Sequence, residues 1–369
     1  MRILHFSPGL TPGGPAQLAA DLACALQRTG ECSNTVLSPA NALVSRVRAS
    51  GAEHLLCRKP TLFNFWAEMQ RLRKHINKTK PDIIQVYSAQ AAALTWAACK
   101  KLTSPGKPHC IGVLTGFPQT GLLSSFWKKC DTFITTSRHL RKHLLAGLLS
   151  NHRKELCLVP YGVNESLCYP EFRHTAPHRA QWVSVHPEAA KRLTLCIPGA
   201  ISPLHGLEDL QPILTELLRQ GIPTHAYIAG DSRKADPHYT EYLKQHFAKA
   251  NLSEHISWLG ARPDMREVMC ACDVTLSLNK QASTCDRAIL EALSLGCPVV
   301  GYDHGIVGEM LAAFLPEGRV APGDTAAVAD TLMQWHTYPP ATAEEIPYPY
   351  RLTDTANSCL GLYKTILSE

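Results

Sequence analysis

Residues 273–310 read DVTLSLNKQASTCDRAILEALSLGCPVVGYDHGIVGEM. Asp273 to Leu278 alternates polar and apolar residues, as a strand does near its end. From Asp286 to Leu295, apolar Ala288, Ile289, Ala292, Leu293 and Leu295 recur at helical spacing. Gly296 stands where a C-capping glycine belongs. Cys297 to Tyr302 is an apolar, β-branched run suited to a buried parallel strand. His304-Gly305-Ile306-Val307-Gly308 reads as a glycine-bearing turn that opens a further helix at Glu309. Strand, loop, helix, strand, turn and helix make a βαβα unit. Its loops lie at the carboxyl ends of neighbouring strands, where open α/β sheets bind ligands.

Before this stretch the chain alternates in the same manner. Strands are expected at 1–7, 32–37, 54–57, 81–87, 109–114, 132–136 and 156–159, with helices at 16–28, 41–49, 63–78 and 89–101 between them. Thr11-Pro12-Gly13-Gly14-Pro15 is a glycine loop opening the first helix. Tyr161 to Lys191 breaks the rhythm with Pro170, Pro177 and Pro187 and the histidines 174, 178 and 186, and reads as the passage between domains, with a short helix in it. A second series follows: strands at 193–198, 225–229 and 256–259, helices at 208–219, 239–250 and 263–271, then 273–310 itself. Helices at 326–335 and 354–367 close the chain around a proline-rich passage, 338–350. The alternation implies α/β architecture with two parallel sheets, each covered on both faces. The boundaries expected are a first domain over 1–170 joined by a terminal helix in 351–369, a linker over 171–191, and a second domain over 192–350.

Size agrees with this division, because 369 residues exceed one ordinary core. Hydrophobic content of 45% and charged content of 18% belong to a globular chain and exclude a disordered one. No apolar run approaches the roughly 18 residues of a membrane span, and MRILHFSPGL is broken too soon by Pro8 and Gly9 for a secretory signal. The fourteen cysteines are scattered, several inside apolar segments, and form no CxxC pair. Buried reduced thiols of a cytoplasmic protein are the expectation, rather than disulfides or a zinc site. Net charge is +6. The excess is concentrated at 100, 101, 107, 128, 129, 138, 141, 142, 153 and 154, opposed in that region by Asp131 and Glu155. Either a solvated basic surface or an anionic partner answers to it.

Several words in the second half are more specific than a lone glycine loop. They are Leu290-Glu291-Ala292-Leu293-Ser294-Leu295-Gly296-x-Pro298-Val299-Val300, then Gly301-Tyr302-Asp303-His304-Gly305-x-Val307-Gly308-Glu309, then Pro316-x-Gly318-Arg319-Val320 and Gly323-Asp324. With these the chain resembles the retaining family-four glycosyltransferases of GT-B fold, most closely the lipopolysaccharide-core enzymes of Gram-negative bacteria. The similarity runs from Met1 to about Lys364. It implies two Rossmann-like domains facing a central cleft, with the C-terminal helix returning to the first. It also implies a nucleotide sugar held mostly by the second domain, a glycolipid or glycan acceptor on the first, no metal, no cofactor and no nucleic-acid partner.

By that resemblance Glu291 binds the nucleotide ribose; a carboxylate near a helix start can accept two hydrogen bonds from a cis-diol. The plain alternative is an Arg287–Glu291 pair at i,i+4, worth about 0.3–0.5 kcal/mol. Gly305, Ile306, Val307 and Gly308 would offer backbone amides to a diphosphate; the alternative is a tight turn. Gly13 and Gly14 would lie near the transferred sugar. Gly199 and Gly206 keep the glycine frame after the first strand of the second domain. Six positions depart from the family pattern: Cys285-Asp286 replaces a Phe-Gly pair, although Arg287 keeps an Arg common in relatives, and four more follow. Ser283 stands for the first Glu of its paired-Glu motif and Thr115, before Gly116-Phe117, for a His near the reacting carbon. Ala200 and His205 replace the Arg and Lys that neutralise the diphosphate. A protonated His205, or Arg233 and Lys234, would restore part of the charge. Such losses are what a catalytically degenerate homologue, acting as a binding or partner subunit, would also display. An epimerase of the same fold differs in its glycine turn and acidic residues. Phe126-Trp127-Lys128-Lys129 mixes aromatic and basic residues where relatives meet the inner membrane surface, so peripheral attachment there is a further expectation. A helix with a buried Trp and a solvated Lys pair is the alternative.

Overall fold

The computed structural model describes residues 1–7, 9, 14–40, 42–59, 61, 63–100, 102, 106–118, 121–152, 155–175, 177–231, 237–347 and 349–368. It divides into two compact units, Met1–Asn164 with Tyr348–Glu369, and Glu165–Pro347. The first contains β1 (Arg2–Phe6), α1 (Gly14–Arg28), β2 (Ser33–Ser38), α2 (Val44–Ala49), β3 (Glu53–Leu56), α3 (Phe65–Thr79), β4 (Ile83–Val86), α4 (Ala89–Cys99) and β5 (His109–Leu114). A 3-10 segment, Leu122–Lys129, leads to β6 (Thr132–Thr135), α5 (Arg138–Ala146) and β7 (Leu156–Leu158). The strands form one seven-stranded sheet in the order β3-β2-β1-β4-β5-β6-β7, parallel at every pairing. A sheet covered on both faces buries its central strands completely, and all four residues of β4 are buried. Ser88 and Ser137 set the starts of α4 and α5 by accepting the amides of Ala91 and Leu140.

The second unit holds α6 (Pro170–Thr175), α7 (His178–Val185), β8 (Leu193–Pro198), α8 (Leu210–Arg219), β9 (Thr224–Ala229), α9 (Pro237–Lys249), β10 (Ile256–Trp258) and α10 (Met265–Ala271). It continues with β11 (Val274–Ser277), α11 (Arg287–Ser294), β12 (Val299–Tyr302), α12 (Gly305–Phe314), β13 (Arg319–Val320) and α13 (Thr325–Thr337). Its six parallel strands run β10-β9-β8-β11-β12-β13. The chain enters at β8, winds outward to β10, and returns to the other side of β8 with β11. That reversal is the switch point at which such sheets bind ligands. The last helix, α14 (Leu352–Ser368), rejoins the first unit. Tyr363 is fully buried there and donates to Gln85 Oε1 at 2.6 Å. Two Rossmann-like units and a returning helix are the architecture expected.

Two expectations need correction, and a third passage is resolved in part. The stretch placed as a linker at 171–191 belongs instead to the second unit, and holds not one short helix but α6 and α7, followed by a 3-10 turn, Pro187–Lys191. Trp182 of α7 packs edge-on against Tyr227 of β9, and Arg179 donates to Thr194 Oγ1 and the Ala271 carbonyl. The prolines that suggested a linker stand at or just before helix starts, where a missing amide costs nothing. α12 begins at Gly305, not Glu309, so the glycines form its first turn. The Phe126–Lys129 segment turns its aromatic half inward. Trp127 is only 7% exposed, and Phe126 packs against Trp96 with ring centroids 5.7 Å apart. Lys128 and Lys129 are exposed, and Lys129 Nζ sits 5.9 Å from the Trp96 ring. The buried Trp and the solvated Lys pair of the plain alternative are both present. No helix among the described residues is long and apolar enough to cross a membrane.

Candidate functional site

Three loops leave the carboxyl edge of the second sheet beside its switch point: those after β8, β11 and β12. Backbone contacts join them. Leu204 O accepts the Lys280 amide at 2.9 Å, linking the first to the second. Gly206, at φ +62°, lies so close that a Cβ there would come within 2.0 Å of Leu278 O. The second and third are joined twice. Ser283 O accepts the Ile306 amide at 2.9 Å, and His304 Nε2 lies 2.7 Å from Asn279 O. Gly305, at φ +57°, again meets backbone: its Cβ would stand 2.4 Å from Ser283 O.

The residues expected to hold a donor fall on this frame unequally. Gly199 and His205 belong to the loop after β8, where His205 Nδ1 lies 2.7 Å from Ser202 Oγ. Burial lowers the His205 pKa, so the imidazole is neutral near pH 7 and does not replace a lost cation. Arg287 and Glu291 are paired, Nε to Oε1, at 2.7 Å. The i,i+4 pair is thus present, with Oε2 unengaged among the described residues. In the first turn of α12, the Ile306 amide is taken by Ser283 and that of Gly308 by His304 O at 3.2 Å. This leaves the amides of Gly305 and Val307 without a hydrogen-bond partner among the described residues. Ser283 contributes a buried Oγ with no partner among the described residues. In the first unit Thr115 is buried after β5 and Gly14 opens α1 at φ +56°. Gly13, Arg233 and Lys234 lie outside the described residues, as do Arg153 and Lys154.

Asn279 and Lys280, not singled out by sequence, organise the site together with Asp286, read there only as half of a substituted pair. Asn279 accepts from, or donates to, its neighbours on both sides. Its carbonyl faces His304, and its Nδ2 donates to Asp286 Oδ2 at 3.1 Å and Ser277 Oγ at 3.3 Å. Asp286 caps α11 through the Ile289 amide, and burial pushes its carboxyl up to about 6. Lys280 brings a cation: its Nζ lies 3.6 Å from Glu208 and 3.5 Å from Asp209. Its Cγ would be 3.3 Å from a Cβ at Gly206, so the stem crosses the glycine that follows His205. Asp209 also accepts from Tyr302 Oη at 2.7 Å. An Asn after a strand reads as loop, and a Lys as surface, unless the partner loops are known. No group of three or more His, Cys, Asp or Glu suited to a metal occurs among the described residues.

Comparison with known proteins bears on the whole chain. Residues 192–337 match the family Glycosyl transferases group 1, and residues 12–167 match Glycosyltransferase Family 4. No curated protein matches the chain in sequence. Among solved structures, a glycosyltransferase from Rickettsia africae superposes with a TM-score of 0.82 at 17% identity, over 99% of this chain and 98% of that one. The HepE protein of Anabaena, solved in complex with UDP and glucose, gives 0.77 at 16% identity, over 100% and 98%. The lipopolysaccharide outer-core galactosyltransferase WaaB, in its apo form, gives 0.64 at 14% identity, over 90% and 89%. At such identities the likeness is one of fold, and it is the GT-B fold. The chain therefore has the GT-B fold, with a match to Glycosyltransferase Family 4 over most of its first unit and one to Glycosyl transferases group 1 over most of its second.

Proposed function

We propose that this chain transfers a sugar from a nucleotide sugar to a lipopolysaccharide-core or related cell-envelope glycan, with retention at the anomeric carbon. The observation that carries the reading is the convergence of three loops at the switch point of the second sheet, joined through Asn279, Ser283 and Gly305 beside Glu291. Each part has a fitting task. Glu291 Oε2 takes the ribose diol while Arg287 holds Oε1. The Gly305 and Val307 amides, at the positive end of α12, take the diphosphate. Lys280 offers, from the neighbouring loop, a cation in place of those lost at Ala200 and His205. A leaving diphosphate needs such charge most in the transition state. Acceptor and stereochemistry rest on the family resemblance and on the likeness to WaaB; by that resemblance Ser283 takes the position over the donor sugar and Thr115 the one near the reacting carbon.

The test is calorimetric titration with UDP, UDP-glucose and matching GDP and ADP compounds, followed by turnover with lipopolysaccharide-core acceptors. One nucleotide class is expected to bind, and Glu291→Ala to weaken it at least about tenfold, the effect of one charged hydrogen bond. Lys280→Ala should lower kcat more than nucleotide affinity. The anomeric configuration of the product, read by NMR, tests retention. Absence of binding to every compound would overturn the proposal. Binding without turnover on any acceptor would leave a partner subunit instead.

A further inference from the structure

The first unit holds a cavity of about 210 Å³ between the end of α4, the start of β5 and the turn before β6. It lies at the amino edge of the sheet. Cys110, near the start of β5, lines it, and Thr115 follows the far end of the same strand. Five residues of extended chain separate the two, about 16 Å. The cavity is therefore distinct from any site at the carboxyl edge. It is also smaller than the roughly 300–1,000 Å³ of a drug-sized pocket, so an oligosaccharide or a nucleotide sugar does not fit it.

One lining group lacks what its position demands. Thr95, inside α4, is 1% exposed, and its Oγ1 has no hydrogen-bond partner. A threonine within a helix commonly returns its hydroxyl to the carbonyl four residues back. This one does not, and a desolvated hydroxyl without a partner destabilises the fold that holds it. Cations gather at the same place. Lys100 Nζ lies 5.3 Å and Lys129 Nζ 5.9 Å from the centre of the Trp96 ring, and all three residues line the cavity. Two like charges drawn to one ring repel each other. Neither has a carboxylate partner among the described residues, whereas Lys107 stands 4.0 Å from Asp131 Oδ1.

The negative groups nearby are already engaged or neutral. Asp131 Oδ2 accepts the Cys110 amide at 2.8 Å. The carbonyls of Ala97 and Ala98, at the negative end of α4, both accept from Arg73 at 3.0 Å. Burial pushes the Cys99 thiol up to about 11. Cys110 donates to Cys130 Sγ at 3.7 Å and is likewise held protonated. The cavity thus offers ammonium groups and a free hydroxyl, with no uncompensated anion facing them among the described lining residues. Sequence had shown the basic excess at 100, 107 and 129 without showing that these three residues meet.

We propose that this cavity binds a small soluble anion of the phosphate or phosphomonoester class, at a site separate from sugar transfer. Lys100 and Lys129 hold its charge, the Thr95 hydroxyl donates to one of its oxygens, and Trp96 and the thiols border its carbon body. Donors that come from separate elements suit a tetrahedral oxyanion with several acceptor oxygens. The proposal does not depend on which sugar is transferred, or on whether any is.

The experiment is calorimetric titration of the full chain with inorganic phosphate and with glycerol 3-phosphate, at constant ionic strength, with acetate as the planar comparison. Both phosphates are expected to bind and acetate to bind more weakly. Lys100→Ala/Lys129→Ala should lower phosphate affinity at least about tenfold, through two lost charged hydrogen bonds. Lys128→Ala removes a neighbouring charge that does not line the cavity and should leave affinity unchanged. Thr95→Val keeps the shape and removes the hydroxyl. It should weaken phosphate about fivefold, yet melt no lower than wild type without ligand. A hydroxyl that served the fold alone would give the opposite pair of results. The proposal is overturned if neither phosphate binds the wild-type chain, or if acetate binds as tightly. It is overturned as well if Lys128→Ala weakens binding as much as the double variant, which would mean a diffuse basic surface. Phosphate binding that survives both Lys100→Ala/Lys129→Ala and Thr95→Val would lie elsewhere, for instance at the first turn of α12, and overturns it too.

Discussion

Two glycines open helices at almost the same backbone angle. Gly14 starts α1 at φ +56°, and Gly305 starts α12 at φ +57°. Their surroundings differ. A Cβ on Gly14 would meet no described atom within 4 Å, whereas one on Gly305 would stand 2.4 Å from Ser283 O and 2.8 Å from Ser283 N. The first glycine answers to torsion alone. The second also fixes a neighbouring loop, because the Ile306 amide it precedes is bonded to Ser283 O. Similar sequence signals, glycine before a helix after a strand, thus conceal an open turn in one unit and a locked one in the other. In the locked turn the position of Ser283, and through it of Asn279 and Asp286, depends on the absence of one methyl group.

Alanine at both positions tests the difference directly. Gly14→Ala should cost only the left-handed conformation, about 1 kcal/mol. Gly305→Ala adds a collision with backbone that cannot rotate away, so about 2–5 kcal/mol in all is expected. It should also displace Ser283 and weaken nucleotide binding. Urea unfolding of the two full-length variants and titration with the bound nucleotide read both effects. Equal losses of stability would mean that Gly305 is no lock.

Most of the fold was legible because parallel strands buried on two faces are written as apolar, β-branched runs, and those of β4, β8 and β12 are unmistakable. β13 was not legible. Arg319–Val320 is two residues long, and only pairing with Gly301 and Tyr302 makes it a strand. Proline misled at 170, 177 and 187, since the same residue stops a helix from within and starts one from its first turn. Glycine misled at 305–308 for a related reason. Gly308 lies inside α12 because a Cβ there would stand 2.5 Å from Asp303 Oδ1, not because the chain turns. The frame of the candidate site was legible through Gly206, Gly305 and Glu291, whose requirements are local. Asn279 and Lys280 were not, because each acquires its role from a loop distant in sequence, and Asp286 was legible only as a substitution, not as the cap of α11. Phe126 and Trp127 show the converse. Aromatic and basic composition there says nothing of which face the 3-10 segment presents, and it presents the lysines.

A second prediction tests what the locked loop costs. Burial raises the Asp286 carboxyl from 3.8 to about 6, while Asn279 and the Ile289 amide oppose the shift. The folded chain therefore holds this proton more tightly than the unfolded one. Its contribution to stability is whole below about pH 4 and is lost as pH rises through about 6. The loss is on the order of 2 kcal/mol for a half-buried group. Asp286→Asn keeps an oxygen for the Ile289 amide and removes the charge, so that the fall between about pH 4 and 6 should flatten. Urea midpoints across that range measure it. A slope identical to wild type would place the strain elsewhere. The buried carboxylate of α1, Asp21, is held by Gln17, Arg46 and Tyr161 and not by the turn of Gly14, so Gly14→Ala should leave the profile unchanged.

The smallest effect expected is the most specific to the lock. Ser283 is held by its backbone against Gly305 and Ile306, while its Oγ is buried with no partner among the described residues. A hydroxyl desolvated without a partner destabilises its own fold. Ser283→Ala should therefore leave the unliganded chain as stable as wild type or up to about 1 kcal/mol more so. If the hydroxyl faces a donor sugar, as the resemblance places it, the same variant should bind the nucleotide sugar more weakly and the bare nucleotide equally well. Thermal unfolding with and without each ligand separates the two terms, because a ligand raises stability by its affinity for the folded state. A variant destabilised without ligand would show that Ser283 serves the loop itself. A variant stabilised alone but indifferent to the sugar would show that the lock holds Ser283 for its backbone only.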